Sequence, residues 1–357
     1  MICHFGRVKL PSGVTAMESP DLHEAARSDQ LSQLPPEAFT LARLVARNAS
    51  GNTPLHSIAR HGGLRLLPVG ILSIATLSLR NDAGYTPLHH AALGGHLDEV
   101  PAEFLTAPLL SMASNSGYTV FHVAAAQGHL SQLPATLITP TLAFSKTHLG
   151  NTLLHEAAEN GMLHRLPPEF LTAANCRRRN LAGETVLHVA VFNGHLAQLP
   201  PEFLTAEALL ETTTAGDTVY HAAAISGHLD EIPAPFLTAK NLVIASKTGF
   251  TAIHAAAETG QLTKIPHDQL TLELLLTRND NGDTPLHAAA FEGHLDQVPL
   301  PLFTAELLAV RNYDGVSVGR TAQMRGFTGQ IPPALRPRAP GAFRRLLVSL
   351  GLVREAF

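Results

Sequence analysis

A proline recurs every 33 residues along most of this chain, at Pro35, Pro68, Pro101, Pro134, Pro167, Pro200, Pro233, Pro266, Pro299 and Pro332. A fixed period between about 20 and 50 residues is the mark of a stacked-repeat protein. Each repeat in such a stack contacts only its neighbours, so the core grows along one axis. A length of 357 residues then need not mean two or three globular domains. Hydrophobic residues make up 45% and charged residues 15%, which is enough to bury a core and too few charges for a disordered chain.

Aligned at the same period, the sequence shows further columns. Glycine stands at Gly51, Gly84, Gly117, Gly150, Gly183, Gly216, Gly249, Gly282 and Gly315, often three residues after Asn48, Asn81, Asn180, Asn279 or Asn312. Polar-x-x-Gly predicts a turn. Threonine follows at Thr53, Thr86, Thr119, Thr152, Thr185, Thr218, Thr251 and Thr284, with proline next at Pro54, Pro87 and Pro285, the pattern of an N-cap and first helical position. An apolar residue and then small residues, as in Leu88 with Ala91 and Ala92, sit at i, i+3 and i+4 and form one buried helical stripe. Glycine closes the helix at Gly62, Gly95, Gly128, Gly161, Gly194, Gly227, Gly260 and Gly293.

The stretches Gly84-Tyr85-Thr86-Pro87-Leu88-His89-His90-Ala91-Ala92 and Gly282-Asp283-Thr284-Pro285-Leu286-His287-Ala288-Ala289-Ala290 closely resemble the first half of an ankyrin repeat, whose period is also 33. The motif recurs eight times in strong form, with degenerate copies around Asp21–Ala26 and after Gly315. The expected fold is all-α, an α-solenoid of about ten stacked ankyrin-like helix-turn-helix repeats over residues 18–335. Residues 1–17 are expected to be a flexible extension, with Met1 and Met17 both open as the start, and residues 336–357 a basic capping helix. Binding of a membrane surface or partner by that last segment is the alternative.

The second half departs from the family. Leu97-Asp98-Glu99-Val100-Pro101-Ala102-Glu103-Phe104-Leu105-Thr106 places proline where one continuous helix would run, and proline removes an amide donor and drives the preceding residue out of helical geometry. A hydroxyl column follows (Thr40, Ser73, Thr106, Thr139, Thr172, Thr205, Thr238, Thr271, Thr304) and then helix formers such as Ala206-Glu207-Ala208-Leu209. The pattern predicts a helix, a proline-initiated turn of helix, and a hydroxyl-capped short helix. The apolar residues before the prolines, from Leu34 and Leu67 through Val100 to Ile331, are expected to fill the core between repeats.

The chemistry-bearing residues argue against most alternatives to a binding surface. A formal net charge of −4 supplies no field for nucleic acid. The longest apolar-looking run, residues 64–79, holds Arg65, Pro68 and Gly70 in register with the repeat and reads as core, so no membrane span is expected. Two cysteines, Cys3 and Cys176, make no disulfide framework. Cys176 precedes Arg177-Arg178-Arg179, which could lower a thiol pKa, but it falls near the end of a repeat's second half. The column His23, His56, His89, His122, His155, His188, His221, His254, His287 invites a metal reading. Packed helices stand roughly 8–10 Å apart, whereas zinc needs nitrogens within about 2.1 Å, so these histidines are read as local hydrogen-bonding groups. No catalytic motif joins the scattered serine, histidine and aspartate, and no metal, cofactor or catalytic residue is assigned.

In ankyrin proteins the turn tips and first helices line a concave partner groove, and the resemblance implies the same here. The varying positions there are Asn52, Tyr85, Tyr118, Glu184, Asp217, Phe250 and Asp283 at the tips, with Phe192, Glu258 and Phe291 late in the first helix. These ten are the candidate partner-binding residues, and the acidic ones among the later repeats favour a partner with a basic face. The expected function is a non-enzymatic interaction scaffold or adaptor, monomeric and cytoplasmic, with secretion as an effector left open. A regulatory or targeting subunit acting on another protein is the second reading, and an enzyme with a site on the concave face the third.

Overall fold

The computed structural model describes residues 21–336; the expected extension 1–17 and the rest of the segment after Arg336 lie outside the described residues. The chain divides into two compact units, Met1–Leu142 and Ala143–Phe357. Each is an all-helical stack of 33-residue repeats of the ankyrin-like helix-turn-helix kind. Among the described residues there is no β-strand, only three isolated bridges: Thr212 with Thr218, Ala245 with Thr251, and Arg311 with Ser317.

The first helices carry the stack. In the first unit they are α1 (Leu22–Arg27), α2 (Pro54–His61), α3 (Pro87–Gly94) and α4 (Val120–Gln127), each packed on the next. In the second unit they are α5 (Leu153–Glu159), α6 (Val186–Phe192), α7 (Val219–Ser226), α8 (Ala252–Glu258), α9 (Pro285–Glu292) and α10 (Val318–Arg325), again packed in sequence. The expected stripe is the buried one: Leu88, Ala91 and Ala92 are fully enclosed, as are Leu286, Ala289 and Ala290. In these two helices alanine at two of the three stripe positions removes the bulk that would hold neighbouring helices apart, whereas α2 and α6 carry Ile58 and Val191 there.

The second half of each repeat breaks where the proline stands. After α3 the chain makes a 3₁₀ turn at Leu97–Glu99, runs extended at Val100 (ψ 126°), turns again at Ala102–Phe104 and enters a short helix at Ala107–Leu110 behind Thr106. The sequence reading expects one turn of helix here, and the structure has two. The first closes because the Val100 amide reaches the Leu97 carbonyl at 3.1 Å before the proline forces an extended backbone. The proline sits just outside the second turn rather than within it, and its carbonyl accepts the Phe104 amide at 2.9 Å. From Val100 to Ile331 the residue before each column proline is buried, whereas Leu34 and Leu67 are half-buried. The repeat containing Leu67 has Val69-Gly70-Ile71 in place of the second 3₁₀ turn, and Gly70 meets open space.

These turns aim a clamp at the preceding repeat. Glu99 accepts the amides of Gly63 and Leu64 at 2.7 and 2.8 Å. Gln132 accepts the Leu97 amide at 3.1 Å and donates to the Gly95 carbonyl at 2.6 Å. In the second unit Glu231 holds the Leu196 amide at 2.7 Å, and Gln297 donates to the Gly260 carbonyl at 2.7 Å. The amides and carbonyls left unpaired where a first helix ends are thus satisfied by a side chain one repeat later.

The glycine ending α3 serves two needs. Gly95 has φ +78°, and a Cβ there would lie 2.9 Å from the His129 ring of the next repeat. That ring cannot retreat freely, because His129 Nδ1 is hydrogen-bonded to the Ala92 carbonyl at 2.9 Å. Gly227 has φ +91° and meets nothing within 4 Å. Gly227→Ala is therefore expected to cost roughly 1–2 kcal/mol from backbone strain alone, and Gly95→Ala a further ~1–3 kcal/mol from the clash. Urea unfolding followed by circular dichroism measures both; equal losses would remove the second role of Gly95.

Candidate functional site

The histidine column builds the surface that carries the candidate residues. In α3, His89 Nδ1 lies 3.1 Å from the Thr86 amide and 2.8 Å from its hydroxyl, a reciprocal capping box at the helix start. Its Nε2 lies 2.9 Å from the Tyr118 carbonyl, 29 residues on. A carbonyl only accepts, so Nε2 carries the proton and Nδ1 accepts. The same link runs from His56 to Tyr85 (3.1 Å), His155 to Glu184 (3.2 Å), His188 to Asp217 (3.3 Å), His221 to Phe250 (3.2 Å), His254 to Asp283 (3.0 Å) and His287 to Val316 (3.1 Å). His23 differs: its Nδ1 pairs with Ser57 at 2.7 Å, and Asp21 caps its helix.

Six of the seven turn-tip candidates are thus held by their backbone carbonyls. Tyr85, Tyr118, Glu184, Asp217, Phe250 and Asp283 each accept from the histidine of the preceding repeat, while their side chains stay half-buried at the surface. Several side chains are also committed. Asn52 accepts from Asn81 (2.8 Å) and Asp283 from Asn312 (2.8 Å), forming polar rungs between neighbouring repeats, and Glu184 accepts from Asn180 (2.7 Å) within its own turn. Tyr85 packs edge-on against His89 and His90, with ring centroids 5.2 and 6.4 Å apart.

In the second unit the structure brings four candidates into one depression. Phe250, Glu258, Asp283 and Phe291 line a hollow of about 410 Å³ together with Glu292, Met324 and Arg325. Phe291 is 48% and Met324 67% exposed, so apolar surface stands open to solvent there. Arg325 lies 3.9 Å over the Phe291 ring and donates to the Phe291 carbonyl at 2.9 Å, which leaves Glu258 and Glu292 without a described ion pair. Glu184, Phe192 and Asp217 lie on earlier repeats of the same unit and do not line this hollow; Asn52, Tyr85 and Tyr118 belong to the first unit. Met324 and Arg325 escape the sequence reading because the motif decays after Gly315. The signal was the period: they stand 33 residues after Phe291 and Glu292.

The two imidazoles in the hollow, His254 and His287, are spent on structure. Each pairs with its capping threonine and a carbonyl of the next repeat, and burial lowers the pKa of both. Neither is placed to shuttle a proton. Among the described residues no three histidine, cysteine or acidic groups gather as metal ligands, and no helix is long and apolar enough to cross a membrane. Cys176 is fully buried, and burial pushes its thiol up to about 12. The neighbouring arginines point elsewhere: Arg177 to Glu207 and Glu211, Arg179 to Glu211, and Arg178 over the Phe144 ring at 4.0 Å.

Residues 281–303, spanning the turn, α9 and the two following 3₁₀ turns, match the ankyrin-repeat family model. No curated protein matches the chain. The match, the period and the stacked helices in both units together define an array of ankyrin-type repeats with a proline-broken second half. Ankyrin repeats are generally protein–protein interaction modules.

Burial lowers His56, His89, His155 and His188 from the ordinary 6.5 to about 4. The unfolded chain therefore binds protons that the folded chain refuses, so stability rises with pH in this window. It is fully present above 6.5 and is lost as pH falls toward about 4, on the order of 3 kcal/mol per fully protonated histidine. Melting temperatures should fall steadily between these limits; a flat profile from neutral pH down to about 4 would contradict the neutral, buried imidazoles. Iodoacetamide should modify Cys176 at least ~100-fold more slowly in native than in denatured protein, read by mass spectrometry. Comparable rates would show an accessible thiol.

Proposed function

We propose that the protein is a non-enzymatic interaction scaffold, and that the second unit captures a basic, partly apolar segment of a protein partner along its turn tips and first helices. The observation that carries this reading is the hollow between α8, α9 and α10. Phe250, Phe291 and Met324 offer apolar contact beside Glu258 and Glu292, two carboxylates that make no ion pair among the described residues. Exposed aromatics next to like-signed charge suit a ligand with an apolar side chain flanked by lysine or arginine. The backbone of Phe250 and Asp283 is locked by the preceding histidine, so little ordering of the tips opposes binding. The same bonds occupy the imidazoles that a hydrolytic mechanism would need. The tips of the first unit, Asn52, Tyr85 and Tyr118, would extend recognition to a second segment.

Selection from a random peptide display library tests this directly. Peptides retained by the protein should be enriched in Lys and Arg beside apolar residues. Glu258→Lys and Glu292→Lys should each weaken a selected peptide roughly tenfold, about 1.4 kcal/mol, and Phe291→Ala by a similar factor. Acidic selected peptides, or affinities indifferent to all three changes, would sink the proposal.

A further inference from the structure

One column of the second unit follows a rule of its own. The last or next-to-last residues of α5 to α10 are, in turn, Glu159, Phe192, Ile225, Glu258, Phe291 and Met324. The order is acidic, apolar, apolar, and it runs twice. In the first unit the same register holds Arg27, Arg60, Leu93 and Ala126, without that order. Packing does not account for the apolar members. Phe192 is 50% and Ile225 47% exposed, close to Phe291 and below Met324, whereas the stripe residues of α6 and α7 are enclosed. Arg325 already lies over Phe291 and still leaves about half of that side chain open. Glu159 is exposed like Glu258, and like it makes no ion pair among the described residues. Large apolar side chains left open on adjacent repeats mark a contact surface.

The first helices of this unit pack in sequence, at a spacing of roughly 8–10 Å. A partner that uses the column must therefore offer one side chain per repeat at that interval. A β-strand advances about 10 Å in three residues, but its third residue points to the opposite face. Nor is there a strand edge for it to join among the described residues. An α-helix returns to one face after seven residues, about 10.5 Å, and the excess accumulates over five steps. A polyproline II segment has three residues per turn and rises about 3.1 Å per residue, so every third residue lies on one face, about 9.3 Å apart. We propose that the second unit binds its partner as a polyproline II segment laid across α5 to α10, with one residue in three serving each repeat. Lys or Arg stands over Glu159 and Glu258, and apolar residues over Phe192, Ile225, Phe291 and Met324. This rests on the basic, partly apolar partner proposed above and adds its conformation and spacing: one basic and two apolar residues at i, i+3 and i+6, repeated from i+9. Such a segment is largely ordered before it binds, so little freedom is lost.

Labelled proline-rich peptides test this by fluorescence anisotropy on the full chain. Arginine stands at i and i+9 and leucine at i+3, i+6, i+12 and i+15, with proline between. A second peptide carries the reverse order, because the column fixes no chain direction. One of the two should bind at least ~10-fold more tightly than peptides with the same residues spaced by two or by four. Phe192→Ala and Ile225→Ala, which lie outside the hollow, should each weaken it by ~3–10-fold, and glutamate in place of both arginines by more than either. The spacing comparison uses unaltered protein, so it decides alone where a variant fails to fold. Equal affinity at all three spacings, or indifference to both variants, overturns the proposal. If peptides from the display selection are nonetheless basic and sensitive to Glu258→Lys, the hollow keeps its reading while this one falls; a selection that yields only acidic peptides removes both. Tighter binding by a peptide with the same residues at seven-residue spacing, with helix gained by circular dichroism, assigns the column to a helical partner and overturns the proposal too.

Discussion

The bond from a buried imidazole to a carbonyl 29 residues ahead is the interaction on which the rest of this structure depends. It joins three requirements in one ring. Nδ1 closes the capping box at the start of the helix, Nε2 grips the turn of the next repeat, and the ring must stay neutral, because protonation removes the Nδ1 lone pair that the threonine amide needs while leaving Nε2 able to donate. Enclosing the ring between repeats keeps it neutral, so the packing that stacks the helices also maintains the protonation state that links them.

This arrangement also orders the backbone at the variable positions. A turn tip is ordinarily a mobile part of a chain. Here the carbonyls of Phe250 and Asp283 are each held twice, by a histidine from the repeat before and by an amide four residues upstream, while their side chains keep partial access to solvent. The monotonous columns fix the backbone, which frees one side chain per repeat to differ. Where that freedom meets α10, Met324 and Arg325 complete a hollow that neither the tip residues nor Phe291 would form alone.

Much of the fold was legible in the sequence because its signals are local. Thr86-Pro87, the Ala91-Ala92 pair and Gly95 each act within a few residues, and periodicity repeated them, the threonine and the closing glycine eight times each and the Thr-Pro pair three times. The break at Pro101 was legible for the same reason. The Glu99 and Gln132 clamps were not, since they act 35 to 37 residues away and their column also holds leucine, lysine and arginine. Nor was the role of His129, whose ring fills the space that Gly95 leaves. The hollow was half legible: register put Phe250, Glu258, Asp283 and Phe291 among the candidates, but which of the ten meet in a hollow depends on where the regular motif ends. Asn52 shows the opposite case, a varying residue whose side chain is already engaged by Asn81.

The inter-repeat contacts span fixed separations: 29 residues for the histidine, 35 and 37 for the clamp. Such spacings leave no place between a helix start and the next proline where one residue could be gained or lost without breaking several contacts together. Whole 33-residue modules, by contrast, can be copied or deleted with every separation intact. A gene for such a chain would tolerate recombination between its own repeats far better than small insertions within them, and the length of the array would change by whole modules.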